Sequence, residues 1–183
     1  MPKAGISLTN LKRYLKQRPE EELISEISEL FAKFDNVKDY YTAKLSPGNQ
    51  KQILQKYKAI IEKEFFPPRG FGKARLSVAR KAVSDYKKVT PSKEDLADIM
   101  VFYVEMGVKF TNAYGDIDEA FYCSMESMYE QAIRYIREQG LQKQFMERCT
   151  NIVENTFGIG WGFYDTLNEL YNEYLVQYDN DEG

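Results

Sequence analysis

Three carboxylates, Asp116, Asp118 and Glu119, fall within four consecutive positions in a stretch that reads as a turn between two helices. Oxygen donors clustered in this way suit a hard cation such as Mg²⁺ or Ca²⁺. The spacing lacks the further oxygen ligands and the terminal glutamate of an EF-hand loop. Acidic residues in a helix's first turn are already explained by capping and by the macrodipole, so that role is the expected one and no cofactor is expected. A divalent-metal-dependent enzyme using Asp116, Asp118 and Glu119 is the third functional reading.

A second group could hold phosphate. Residues 49–90 carry 11 Lys and Arg against 3 Asp and Glu, residues 91–183 carry 6 against 18, and the whole chain has net charge -3. At 100° per residue, a helix beginning near Lys73 puts Lys73, Ser77, Arg80, Lys81, Ser84, Lys87 and Lys88 on one side, with Leu76, Ala79, Ala82, Val83 and Tyr86 on the other. With Arg69 and Phe71 in the preceding loop, this arc can grip a nucleic-acid backbone. A solvated face that offsets the acidic C-terminal half is favoured, because charge runs on helix surfaces are usually that and the chain as a whole is acidic. Arg75 projects from the apolar side of the same helix, where a guanidinium needs a carboxylate; a buried structural ion pair is expected, with Asp116, Asp118 or Glu119 a reasonable partner.

Other chemistries are closed off. The chain contains no histidine, which removes Ser-His-Asp and Cys-His catalysis, histidine-ligated zinc and imidazole general-base chemistry within this polypeptide. Cys123 and Cys149 lack C-x-x-C spacing and read as buried thiols. The run Gly158 to Gly162, GIGWG, follows no strand, so a tight interhelical turn packing Trp161 over the core is expected in place of a phosphate cradle. Tyr164, Tyr171, Tyr174 and Tyr178 line up on the last helix. Such a stripe is usually core with a wet edge, and becomes a protein-binding surface if that edge is exposed.

The elements that must position these groups are helices. Ser7 caps a first short helix through Leu8, Leu11 and Leu15, and Pro19 with Glu20, Glu21 and Glu22 opens a second, in which Leu23, Ile24, Ile27, Leu30, Phe31 and Phe34 recur at helical spacing. Asp35 or Asn36 caps a third; Ser46-Pro47 and Thr90-Pro91 repeat the cap-then-proline start. Pro67 and Pro68 end the fourth helix, and Gly70 and Gly72 permit the turn into the basic one. The helix from Pro91 to about Ala113 is apolar almost all round and belongs at the centre, with Gly107 marking a close crossing by another helix. No stretch alternates with period two. The expected fold is all-α, an orthogonal multi-helix bundle or stacked helical hairpins of about eight or nine helices. One domain over residues 1–178 is expected, followed by a disordered acidic tail, 179–183.

The runs EKEFFPPRGFGKARLSVARKA, FYVEMGVKFTNAYGDIDEAFY and GIGWGFYDTL together resemble a family of small bacterial helical proteins classed only as a domain of unknown function. The resemblance covers nearly the whole chain and implies an all-helical domain without implying an activity. There is no apolar run of the roughly 20 residues that span a bilayer, and MPKAGISLTN has no signal-peptide core, so a cytoplasmic protein off the membrane is expected. The expected function is a non-catalytic interaction or regulatory module that binds a protein partner through Arg69, Phe71, Lys73, Arg80, Lys81 and Lys87; nucleic-acid binding through residues 69–88 is the alternative. The residues do not specify the oligomeric state.

Overall fold

In a computed structural model the described residues are 5–90 and 92–176. The acidic tail from Asp179, Tyr178 of the tyrosine series and Pro91 as a helix opener lie outside them. The described residues form nine α-helices and no strand: α1 (Leu8–Leu15), α2 (Glu20–Lys33), α3 (Asp35–Leu45), α4 (Gln50–Phe65), α5 (Leu76–Val89), α6 (Lys93–Tyr114), α7 (Glu119–Glu138), α8 (Gln142–Glu154) and α9 (Phe163–Tyr171). A short π-helical turn, Asn172–Val176, extends α9.

Local chemistry explains the starts. Ser7 accepts a hydrogen bond from the Asn10 amide at 3.2 Å and Asp118 accepts from the Phe121 amide at 2.8 Å, each satisfying an orphan donor of a first turn. Three boundaries differ from expectation. Ser92 rather than Thr90 caps α6, accepting from the Asp95 amide at 3.1 Å, while the Thr90 hydroxyl instead accepts from the Ser92 amide. Pro47 opens a 3₁₀ turn, Pro47–Asn49, before α4. Neither Asp35 nor Asn36 caps α3; Phe34 occupies that position without a side-chain bond.

The centre of the bundle is α6, which packs against α4, α5, α7 and α8. Ile99, Val101, Tyr103 and Val104 are fully sequestered on it. Gly107 is where α7 crosses: a Cβ there would stand 2.1 Å from Met125 Sδ, so any larger residue would push the Met125 side chain aside. Phe65, Phe110 and Phe121 meet edge-on or tilted in one cluster, with centroids 5.7 to 6.4 Å apart. Buried polar groups are paired: the Tyr129 hydroxyl donates to the Cys149 carbonyl at 3.2 Å, and Tyr103 shares a hydrogen bond with Ser124. Arg148 on α8 donates to Asp98 and to both oxygens of Glu105 on α6, and Asp98 also accepts from Lys58 on α4, so one ionic network ties three helices.

The first two helices stand apart from this core, while α3 packs on α4 and α5. α3 is fastened by Asp39, which accepts from Lys56 at 2.8 Å and from the Tyr57 hydroxyl at 3.0 Å, and by buried Ala43. α2 touches α3, where Phe31 meets the Tyr41 ring. Neither α1 nor α2 buries a single residue. The stripe from Leu23 to Phe34 forms the helix its spacing predicts, yet that helix has no core beneath it.

Candidate interaction site

The double proline ends α4 at Phe65, and the chain then runs through an elbow, residues 66–75, before α5 begins at Leu76 instead of Lys73. Two close backbone approaches set the elbow. Gly72 lies against the end of α4, where a Cβ would fall 1.9 Å from the Phe65 carbonyl oxygen. Ala74 takes a left-handed φ of 43° and its amide donates to the Glu64 carbonyl at 2.8 Å. Lys73 to Arg75 therefore cannot continue the helix upstream.

This geometry corrects the expectation for Arg75. Its guanidinium is not interred on an apolar helix face; it sits at the N-terminal cap position of α5 with its side chain 57% exposed, and the buried member of the pair is Glu64. Glu64 accepts from Nε at 2.8 Å and Nη2 at 2.6 Å, a two-pronged contact. Those bonds outweigh burial and hold the Glu64 carboxyl below its ordinary value. Asp116, Asp118 and Glu119 take no part in it.

The acidic trio is dispersed among structural duties. Asp116 accepts from the Tyr122 hydroxyl at 3.1 Å, Asp118 caps α7, and Glu119 is the first residue of that helix. Among the described residues no group of three or more His, Cys, Asp or Glu side chains is placed to hold a metal ion.

The basic arc is thinner than its composition suggests. Arg80 turns towards α7 and donates to the Ser124 carbonyl and hydroxyl, both at 3.1 Å, so it is half-buried instead of facing water. Lys81 and Lys88 both pair with Asp85, which the helix places between them. That neutralisation was readable in the sequence, since Asp85 stands four residues after Lys81 and three before Lys88. Arg69, Lys73 and Lys87 remain exposed, with no carboxylate at salt-bridge distance among the described residues.

Tertiary structure brings three glycine-containing segments, those around Gly72, Gly115 and Gly160, to one end of the bundle. Phe71, 81% exposed on the elbow, meets the Tyr114 ring at the end of α6 with centroids 5.8 Å apart, and Tyr114 also contacts Phe66 and Phe110. The turn after Tyr114 runs to Asp116, against which Gly160 packs so closely that a Cβ would sit 3.0 Å from Oδ2. Trp161, next in that loop, stacks on the buried core residue Tyr122 at 6.5 Å, so it lies over the edge of the core while 59% of it stays exposed. Tyr114, and the link from Asp116 through Tyr122 to Trp161, were absent from the reading of the sequence, because Phe71 and Tyr114 stand 43 positions apart and Tyr122 and Trp161 stand 39 apart, too far to share a local periodicity.

The remaining candidates are occupied elsewhere. Tyr171 shares a hydrogen bond with Thr150 and lines, with Tyr164, a cavity of about 520 Å³, and Tyr174 lies under the Arg134 and Arg137 guanidinium groups, so these three tyrosines are half-buried, each against a neighbouring group. Cys149 is buried but Cys123 is exposed, contrary to the expectation of two buried thiols. A cavity of about 580 Å³ between α6 and α8 is lined by Glu105, Lys109, Asn112, Arg148, Asn151 and Asn155, but Arg148 and Glu105 already satisfy each other there.

No helix of the described residues is long and apolar enough to cross a membrane. Neither the curated proteins nor the solved structures contain a match to the chain. A family model matches residues 6–175, nearly the entire chain, and α1 to α9 and the three loops that meet at one end all lie inside that span: the chain belongs to a family of unknown function (DUF6155).

Proposed function

We propose that the chain is a non-catalytic helical interaction module whose protein partner docks on the loop end, with Phe71 as anchor and Arg69 and Lys73 as flanking cations. Phe71 supports the reading. A large aromatic side chain is held in water on a backbone that the double proline and the close approach of Gly72 keep from relaxing. A side chain fixed before contact loses little conformational freedom on docking, and buried aromatic and arginine anchors dominate most interfaces. The chemistry asks for a partner segment with an apolar side chain beside acidic groups.

The test is capture of partners by the wild-type chain, Phe71→Ala and Arg69→Glu side by side, with melting curves to show that all three fold. A partner held by the wild type and lost by both variants at unchanged stability supports the proposal. Equal capture by all three proteins overturns it. Nucleic-acid binding through residues 69–88 would rest chiefly on Arg69, Lys73 and Lys87, since Lys81 and Lys88 share the one carboxylate of Asp85, giving a slope of log K against log[salt] of about -3 to -4. No retention of DNA or RNA at low salt would remove that alternative.

A further inference from the structure

We infer that α1 and α2 together form the face on which a second copy of this chain docks, α1 of each copy lying along α2 of the other. This is independent of the loop end. Ile6, Leu8, Leu11 and Tyr14 around α1, and Ile24, Ile27, Leu30, Phe31 and Phe34 on α2, are each left between 38% and 84% exposed. Side chains of that number and size present on the order of 800 Å² per copy, which is what a standard interface removes from each partner. Monomers rarely leave so much apolar side chain uncovered in one region.

Charge selects the occupant. Within residues 5–18 the chain carries Lys12, Arg13, Lys16 and Arg18 and no acid; within residues 20–33 it carries five glutamates and one lysine. Inside one chain these opposite helices meet near the Pro19 turn, where the Tyr14 hydroxyl donates to Glu26 at 2.6 Å and Arg18 pairs with Glu22 at 2.9 Å. Those contacts leave both apolar stripes in water, and they leave Lys12, Arg13, Lys16, Glu20 and Glu21 without an ion-pair partner among the described residues. A basic amphipathic helix and an acidic one on the same chain complement each other across a two-fold axis: each copy offers what the other lacks, twice. At 100° per residue Lys12 stands beside Leu8 at the edge of the α1 stripe, with Lys16 and Arg13 further round on its polar side, while Glu20 and Glu21 stand at the head of the α2 stripe, so Lys12, Glu20 and Glu21 border the surfaces that would be joined.

The experiment is sedimentation equilibrium on the full chain at up to on the order of 100 µM and at low and high salt. A dimer that weakens as salt rises is expected. Leu11→Asp and Ile27→Asp, both at exposed positions, should each weaken self-association at least tenfold without changing the circular-dichroism spectrum. Lys12→Glu/Lys16→Glu and Glu20→Lys/Glu21→Lys should each do the same alone. Mixed one to one, the two charge-reversed proteins should form a heterodimer, because each acidic α1 then faces a basic α2. A wild type that stays monomeric overturns the inference, including one that covers the face with another protein or with an anionic vesicle. A dimer indifferent to Leu11→Asp and Ile27→Asp, or a mixture that fails to restore association, overturns it equally.

Discussion

Glu64 and Arg75 lie eleven residues apart on opposite sides of the elbow and join α4 to α5 through two hydrogen bonds, at 2.6 and 2.8 Å. Arg75's bonds hold the buried carboxyl of Glu64 below its ordinary value, so between the folded and unfolded values the unfolded chain binds more protons. The contribution is therefore complete above the ordinary glutamate range and is lost as pH falls through the folded value. Glu64→Gln should lower stability at pH 7 by about 1–2 kcal/mol, kept small by the exposure of Arg75. The gap to wild type should narrow below about pH 4 in thermal melts. A gap that stays constant down to pH 3 would contradict the pairing.

The elbow depends on Gly72. Gly72→Ala forces a methyl group into the Phe65 carbonyl oxygen, a backbone atom with nowhere to move, and should cost about 3 kcal/mol or more. Gly48, whose Cβ would meet nothing within 4 Å, is the control, and Gly48→Ala should change stability by less than about 0.5 kcal/mol. Chemical denaturation of both variants decides it; equal effects would show that the elbow tolerates a Cβ.

Arg80 and Lys87 belong to the same basic arc but do different work. Arg80→Ala removes donors from the Ser124 carbonyl and hydroxyl and should cost about 1 kcal/mol. Lys87→Ala, at an exposed position, should cost under about 0.5 kcal/mol. Denaturant midpoints that are indistinguishable would place Arg80 in solvent after all.

The two thiols should separate by rate. Burial pushes the Cys149 thiol up to about 12, and the thiolate is the reactive form, whereas Cys123 is exposed on α7. A thiol reagent at pH 8 should modify one cysteine quickly in the native protein and the second only on unfolding. Two fast equivalents would refute the packing of α8 against α7.

Trp161, the single tryptophan of the chain, reports directly on the loop end. With 59% of its area exposed, its native fluorescence should be quenched by acrylamide nearly as readily as in denaturant. A blue-shifted, quencher-resistant emission would mean that the GIGWG turn buries the indole.

How much was legible follows from the range of the forces involved. Helix periodicity, the stop at Pro67-Pro68, the cap Ser7, an aspartate cap at Asp116 or Asp118 and the crossing at Gly107 depend on residues close in sequence, so an all-α bundle centred on α6 could be read from the chain. The stripe on α2 shows the limit of that reading. Apolar residues at helical spacing look the same whether the chain supplies a core beneath them or leaves them for another molecule.

The amino-acid sequence by itself determined which segments form helices, because hydrogen bonding and side-chain period act over three or four residues, although α3, α5 and α6 begin elsewhere than their sequence signals. Only tertiary structure decided which charges are paired and which faces are covered. Glu64 rather than Asp116 takes Arg75, Ser124 takes Arg80, and Phe71, Tyr114 and Trp161 come to one end of the bundle. Each of those outcomes turns on the distance between groups that the chain brings together only after α4 to α9 have packed.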